Sequence, residues 1–175
     1  MKRVFYARLF VVIVTLHFGQ GVVECKPATV EPTIKIVKVS PTGSIALEIN
    51  NPSMEPLKLW QESNSWGAAR WRLLRIRHGQ IEVFFQNPNQ IFTANIPTFD
   101  TIAPGAHIKH TLDVNGGNWC GLGHCVSYNE RGLGGKKISF EANDTIIVVY
   151  DVPLTDVAED MYVWHGVAAA FKTVE

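Results

Sequence analysis

The sequence predicts an all-β fold: an antiparallel β-sandwich, immunoglobulin-like in general architecture. Three observations carry this expectation. Roughly seven to nine short runs alternate apolar and polar residues, the period of a half-buried strand. Clusters of proline, glycine and asparagine separate these runs, and 14 glycines and 9 prolines supply the tight turns such a chain needs. The run Thr145–Val152, TIIVVYDV, is β-branched and apolar on both faces up to Tyr150, as a central strand would be. Many short strands with turn signals between them stack as two sheets. The Cys–Trp–Cys spacing of true immunoglobulin domains is absent, because Cys120 and Cys125 lie only five positions apart.

The N-terminus sets the compartment. Met1-Lys2-Arg3 is basic, Val4 to Phe18 is mostly apolar, and polar residues follow from Gln20. That order of regions is a secretory signal peptide. A membrane-spanning helix needs about 20 apolar residues. Arg8 and His17 interrupt this run, so cleavage is expected and no stable anchor remains. Cleavage after Gly21 would leave three cysteines; cleavage after Cys25 leaves the even pair Cys120 and Cys125, which suits an oxidising compartment. Lipidation at Cys25 is disfavoured by Glu24, where a small residue would be needed.

Residues 1–25 are therefore read as signal peptide, 26–33 as an extended proline-bearing lead-in, and 34–175 as one β-sandwich domain of a secreted, extracellular protein. Removing 1–25 takes Lys2, Arg3, Arg8 and Glu24 from 16 basic and 16 acidic residues, leaving 13 and 15. A slightly acidic chain has no global attraction for nucleic acid or an anionic membrane. About 150 residues can bury roughly 68–70% of their unfolded surface, enough for a core without many disulfides.

Along the mature chain, Thr33–Val39 alternates, and Pro41-Thr42-Gly43 turns it. Ser44–Ile49 alternates more cleanly, with Ile45, Leu47 and Ile49 on one side; Asn50-Asn51-Pro52 ends it, and Leu57–Trp60 resumes. Trp66 to Leu74 also fits a helical face. His78-Gly79 suits a two-residue hairpin turn, so Trp71–Arg77 and Gln80–Gln86 are read as a hairpin. Asn87 to Pro104 is long and irregular, with a short edge strand expected at Gln90–Ala94. His107–Val114 places Ile108, His110 and Leu112 on one face. Lys137–Phe140, Thr145–Val152 and Asp160–Phe171 are the last strand-like runs, and no helix is evident.

The stretch Asn115–Cys125, NGGNWCGLGHC, is too glycine-rich for a regular element. A disulfide between Cys120 and Cys125 explains it best. Two glycines in the four-residue loop let the Cα atoms approach to the ~4.4–6.8 Å a disulfide needs. Zinc is disfavoured, since His124 and Cys125 are adjacent and no second ligand cluster follows. A redox role is disfavoured by the spacing.

Asp113–Asn118 fails the calcium-loop pattern, and Gly132–Lys137 fails the phosphate-loop pattern. Arg70, Arg72, Arg75 and Arg77 divide between two strand faces, so they form no basic stripe. Asn143-Asp144-Thr145 is a glycosylation sequon.

Trp60, Trp71 and Trp164 fall within strand patterns and are assigned to the core; Trp66 and Trp119 fall in polar, glycine-rich loops. With His124, those two are the candidate binding residues. No catalytic motif, metal site or cofactor is expected. The expected function is a secreted, non-enzymatic binding module presenting stapled Gly/Trp-rich loops to a protein or glycan. One alternative is a metal-dependent or hydrolytic enzyme gathering His107, His124 or His165 with an acid; another is a membrane-active, pore-forming-like protein.

Overall fold

The computed structural model describes residues 31–87, 96–116, 119–121 and 137–175. Among the described residues, ten strands and one short helix follow in chain order: β1 (Thr33–Val39), β2 (Ser44–Asn50), β3 (Leu57–Trp60), β4 (Trp71–Arg77), β5 (Gln80–Gln86), β6 (Phe99–Ile102), β7 (His107–Asp113), β8 (Trp119–Gly121), β9 (Thr145–Val152), α1 (Asp156–Asp160) and β10 (Gly166–Thr173). The all-β expectation holds. Every ladder is antiparallel, and the strands form a three-stranded sheet β1-β2-β7, a five-stranded sheet β10-β9-β4-β5-β8 and a two-stranded sheet β3-β6.

Alternation decides what each strand buries. β2 seals Ile45, Leu47 and Ile49, and β9 seals Ile146, Val148, Tyr150 and Val152. Together with Leu57, Leu59 and Ile102 of the small sheet and Trp71 and Leu73 of β4 they make one continuous core. Trp60, Trp71 and Trp164 are all buried in it, as expected. The β4–β5 hairpin turns at His78 and Gly79, both with positive φ (49° and 74°), as a primed two-residue turn requires.

Buried asparagines fix the loops between sheets. Asn51, 1% exposed, donates from Nδ2 to the carbonyls of Glu55 and Ile102 and accepts from Ser53, tying the 51–56 loop to β6. Asn115, the first residue of the glycine-rich stretch, joins the β1–β2 turn to the Ile138 backbone. Its Nδ2 donates to Thr42 O (2.7 Å) and Ile138 O (2.9 Å), and its Oδ1 accepts from Ile138 N (2.8 Å).

Three expected elements come out differently. Lys137–Phe140 is not a strand, although Ile138 and Phe140 are buried at the right spacing. Its backbone groups are taken by Asn115, by Pro41 O, and by Arg77 Nη2 on Ser139 O, so no ladder can form. The strand expected over Asp160–Phe171 starts only at Gly166. Before it, Thr155 caps α1 by accepting Ala158 N at 3.1 Å, and the side-chain bond makes helix the better local solution. The edge strand expected at Gln90–Ala94 lies outside the described residues, and β6 pairs with β3 instead. The signal-peptide residues 1–25 also lie outside them.

Candidate functional site

A cleft opens where the three sheets meet. Its floor is Ile49 of β2, Leu59 and Trp60 of β3, Trp71 of β4 and Tyr150 of β9; its rim is Gln61, Glu62, Ser63, Asp100, Ile108 and His110. The volume is about 320 Å³, the small end of the range for ligand sites. Among the described residues, no lysine or arginine lines it.

The loop carrying three rim residues is held from below. Asn64, 1% exposed, donates to Thr98 O and Oγ1 and accepts from Trp66 N (3.0 Å) and Gly67 N (2.9 Å). Gly67 packs so closely on the returning chain that a Cβ there would overlap the Gln61 carbonyl. The loop therefore folds tightly enough to lay Trp66 on Trp60, with ring centres 5.9 Å apart and planes 28° apart.

Aromatic side chains form a column beneath the rim. His110 stacks on Trp71 (5.1 Å, 12°), Trp71 meets Tyr150 (4.4 Å, 35°), and Tyr150 stacks on Trp164 (5.9 Å, 13°). Trp71 and Tyr150 are direct cross-strand partners, which is why they touch. The His110–Trp71 contact joins the three-stranded sheet to the five-stranded one.

Glu62 is the polar centre. Its Oε1 lies 2.8 Å from His110 Nε2, and its Oε2 accepts from Gln86 Nε2 at 2.9 Å. Gln86 in turn accepts Trp71 N. Both Oε1 and Nε2 are sealed from solvent, and the ring N–H is not well aimed along the contact. Two bare lone pairs at 2.8 Å would repel, so the contact itself assigns the proton to Nε2. Burial works to raise the Glu62 pKa, but hydrogen bonding and charge from His110, with Gln86 and Trp71, outweigh it and hold the carboxyl below its ordinary value. Burial raises the Tyr150 phenol, and Glu62 adds to the effect, so Tyr150 stays neutral. Across the rim, Gln61 Nε2 donates to Asp100 Oδ1 at 2.7 Å.

Chemically, the Glu62 carboxylate is fully committed and acts as an orienting group. It holds His110 by Nε2 at the edge of the cleft.

The residues singled out from sequence fall elsewhere. Trp119 sits in β8, 3% exposed and within the core, so its ring presents no surface to a partner. Its core position replaces the expected polar loop, because Trp119 pairs with Gln86 on the inward face of β5. Trp66 is half-buried against Trp60, beside the cleft and outside its lining. His124 and Cys125 lie outside the described residues. Cys120 is buried and disulfide-bonded, and Cys25 lies outside the described residues.

Asn143 is exposed in a turn, at φ 70°. His107 and His165 do not join His110 in the cleft. Among the described residues, no group of three or more histidine, cysteine or acidic side chains could hold a metal ion. No described helix is long and apolar enough to cross a membrane.

Sequence reasoning missed Glu62, Asp100 and Tyr150 as site residues. His110 gave the one available signal: it shares the apolar face of its strand with Ile108 and Leu112. No protein-family model matches the chain, and no curated protein and no solved structure matches it.

Proposed function

We propose that the chain is a secreted, non-enzymatic β-sandwich module, immunoglobulin-like in general architecture, that binds a glycan in this cleft. One observation supports the reading above all: an apolar floor edged by Trp60, Trp71 and Tyr150 lies under a rim of Gln61, Ser63, Asp100 and His110, with no lysine or arginine among the described lining residues. A sugar ring has a flat face of C–H groups for such a floor and hydroxyls that both donate and accept around its edge. Asp100 can only accept, and Gln61 can do both. His110 adds an imidazole to the same rim.

Glycan-array screening of the mature protein, followed by calorimetry, tests this reading. Binding should be found, and Asp100→Ala and His110→Ala should each weaken it about tenfold, roughly 1.4 kcal/mol, with little change in melting temperature for the exposed Asp100. Failure to bind any glycan at millimolar concentration, or capture of a protein partner that ignores both substitutions, defeats it.

A second reading draws on the Glu62–His110 contact: an imidazole oriented by a carboxylate is also the beginning of a general base. Turnover of ester or glycoside substrates that His110→Ala abolishes would replace the binding reading.

Two covalent features complete the proposal. Cys120 is bonded to Cys125, stapling the glycine-rich loop, and Asn143 carries a glycan. Intact mass of protein secreted from a glycosylating host should show two protons gained on reduction and a mass lost on deglycosylation. Cys125 that alkylates without reduction would exclude the staple.

A further inference from the structure

We propose that the cleft selects a glycan bearing a free, protonated amino group, a hexosamine in place of a neutral or acidic sugar. The inference rests on the glycan reading above and adds the charge of the ligand. Apart from the neutral Tyr150 phenol, the ionisable side chains lining the cleft among the described residues are Glu62, Asp100 and His110. The two acids take uncharged or shared partners: Glu62 is held by His110 and Gln86, and Asp100 by Gln61. A neutral His110 leaves both carboxylate charges uncompensated, and a protonated one cancels only Glu62. The cleft is therefore negative in either state of the imidazole.

Two cations on neighbouring segments are committed away from the lining. Lys58 Nζ donates to Met161 O at 3.0 Å and lies 4.5 Å from the centre of the Phe99 ring. Arg70 donates from Nε to Trp66 O at 2.6 Å. On the floor, burial raises the Tyr150 phenol most, and Glu62 and Asp100 both add to the rise against Arg70. The fields of the two acids therefore overlap where the ligand would sit.

Asp100 is the acid a ligand can reach. It is exposed on β6, directly across the ladder from Leu59 of the floor. Gln61 Nε2 takes its Oδ1 and so orients the carboxylate, while Oδ2 has no partner among the described residues. A ligand seated on the floor displaces water from that oxygen. An ammonium replaces the water with a charge-assisted donor, a hydroxyl with a weaker neutral one, and a ligand carboxylate with repulsion.

Calorimetry on the mature protein at about pH 6, where an amine of this kind holds its proton, tests the selection. The probes are tetramers of glucosamine, N-acetylglucosamine, glucose and glucuronic acid in one common linkage. The glucosamine tetramer should bind about tenfold more tightly than either neutral tetramer, and the glucuronic acid tetramer should bind weakest. Added salt should narrow these gaps. Asp100→Asn should reduce the gap between glucosamine and N-acetylglucosamine to about twofold or less, a ratio that loosening of the cleft as a whole would not move. Four tetramers bound alike, or a gap untouched by Asp100→Asn, overturn the amine preference and leave the glycan reading standing. Tighter binding of a lysine-rich peptide than of any tetramer overturns it and assigns the cleft to a protein. No binding of any tetramer, together with a blank glycan array, takes the glycan reading down with it.

Discussion

Replacing Arg77 with alanine is expected to lower folding stability by about 3–5 kcal/mol, because it strands a buried carboxylate. Asp144 has only 1% of its side chain exposed, and Arg77 grips it with two bonds, Nε to Oδ1 at 2.7 Å and Nη2 to Oδ2 at 2.6 Å. The same guanidinium reaches Ser139 O and Glu141, so it also ties the 139–144 segment to the end of β4. With the arginine gone, Asp144 keeps the Glu141 N–H but loses its countercharge. Adding Asp144→Asn to Arg77→Ala should therefore recover much of the loss, because the amide needs no countercharge. A double variant as unstable as the single one would show that the guanidinium matters for packing alone.

The pH dependence has a definite sign. Hydrogen bonding to Arg77, resisted by burial, holds Asp144 below its ordinary value in the folded chain. The stability this supplies is present above the unfolded carboxylate value of about 3.9 and is lost as pH falls through the lower folded value. Urea titrations should accordingly show the gap between wild type and Arg77→Ala at its full size at pH 7 and narrowing below about pH 4.

The strands were legible because they need only a local rule. Ile45, Leu47 and Ile49, or Ile146 and Val148, declare their face by parity, and parity survives any tertiary context that buries one side. The hairpin at His78-Gly79 was legible for the same kind of reason, since its turn chemistry lies in two adjacent residues. What failed was decided by distant partners. Ile138 and Phe140 alternate like a strand, yet the N–H of Ile138 is claimed by an asparagine side chain 23 residues away. Trp119 looks like a loop residue among its neighbours and becomes core only through its pairing with Gln86.

The cleft was hardest to see, because its groups come from six strands and the loop after β3. Glu62 and His110 are 48 positions apart and meet only once three sheets are in place. A histidine between Ile108 and Leu112 on an apolar face could be flagged as a group requiring a buried partner. Which acid would supply the partner was not readable from spacing. Thr145–Val152 posed the converse problem. Its two apolar faces predicted a central strand, and β9 does lie between β10 and β4, but its outward Ile147 and Val149 are only half-buried.

Trp71→Ala is expected to cost about 3–5 kcal/mol and to abolish ligand binding in the cleft, two effects that have to be separated. The indole is 2% exposed and sits between His110 and Tyr150, so its removal opens a cavity under both. For a domain of this size the melting temperature should fall by roughly 10 °C. Leu73 provides the comparison. It is 0% exposed, two residues along the same strand on the same inward face, and it does not line the cleft. Leu73→Ala should cost a similar 2–5 kcal/mol while leaving ligand affinity below its melting temperature within about twofold. If both variants lose binding together, general loosening of β4 explains the loss and Trp71 has no direct part in it. If only Trp71→Ala loses it, the stack that sets His110 against Glu62 is what the ligand requires.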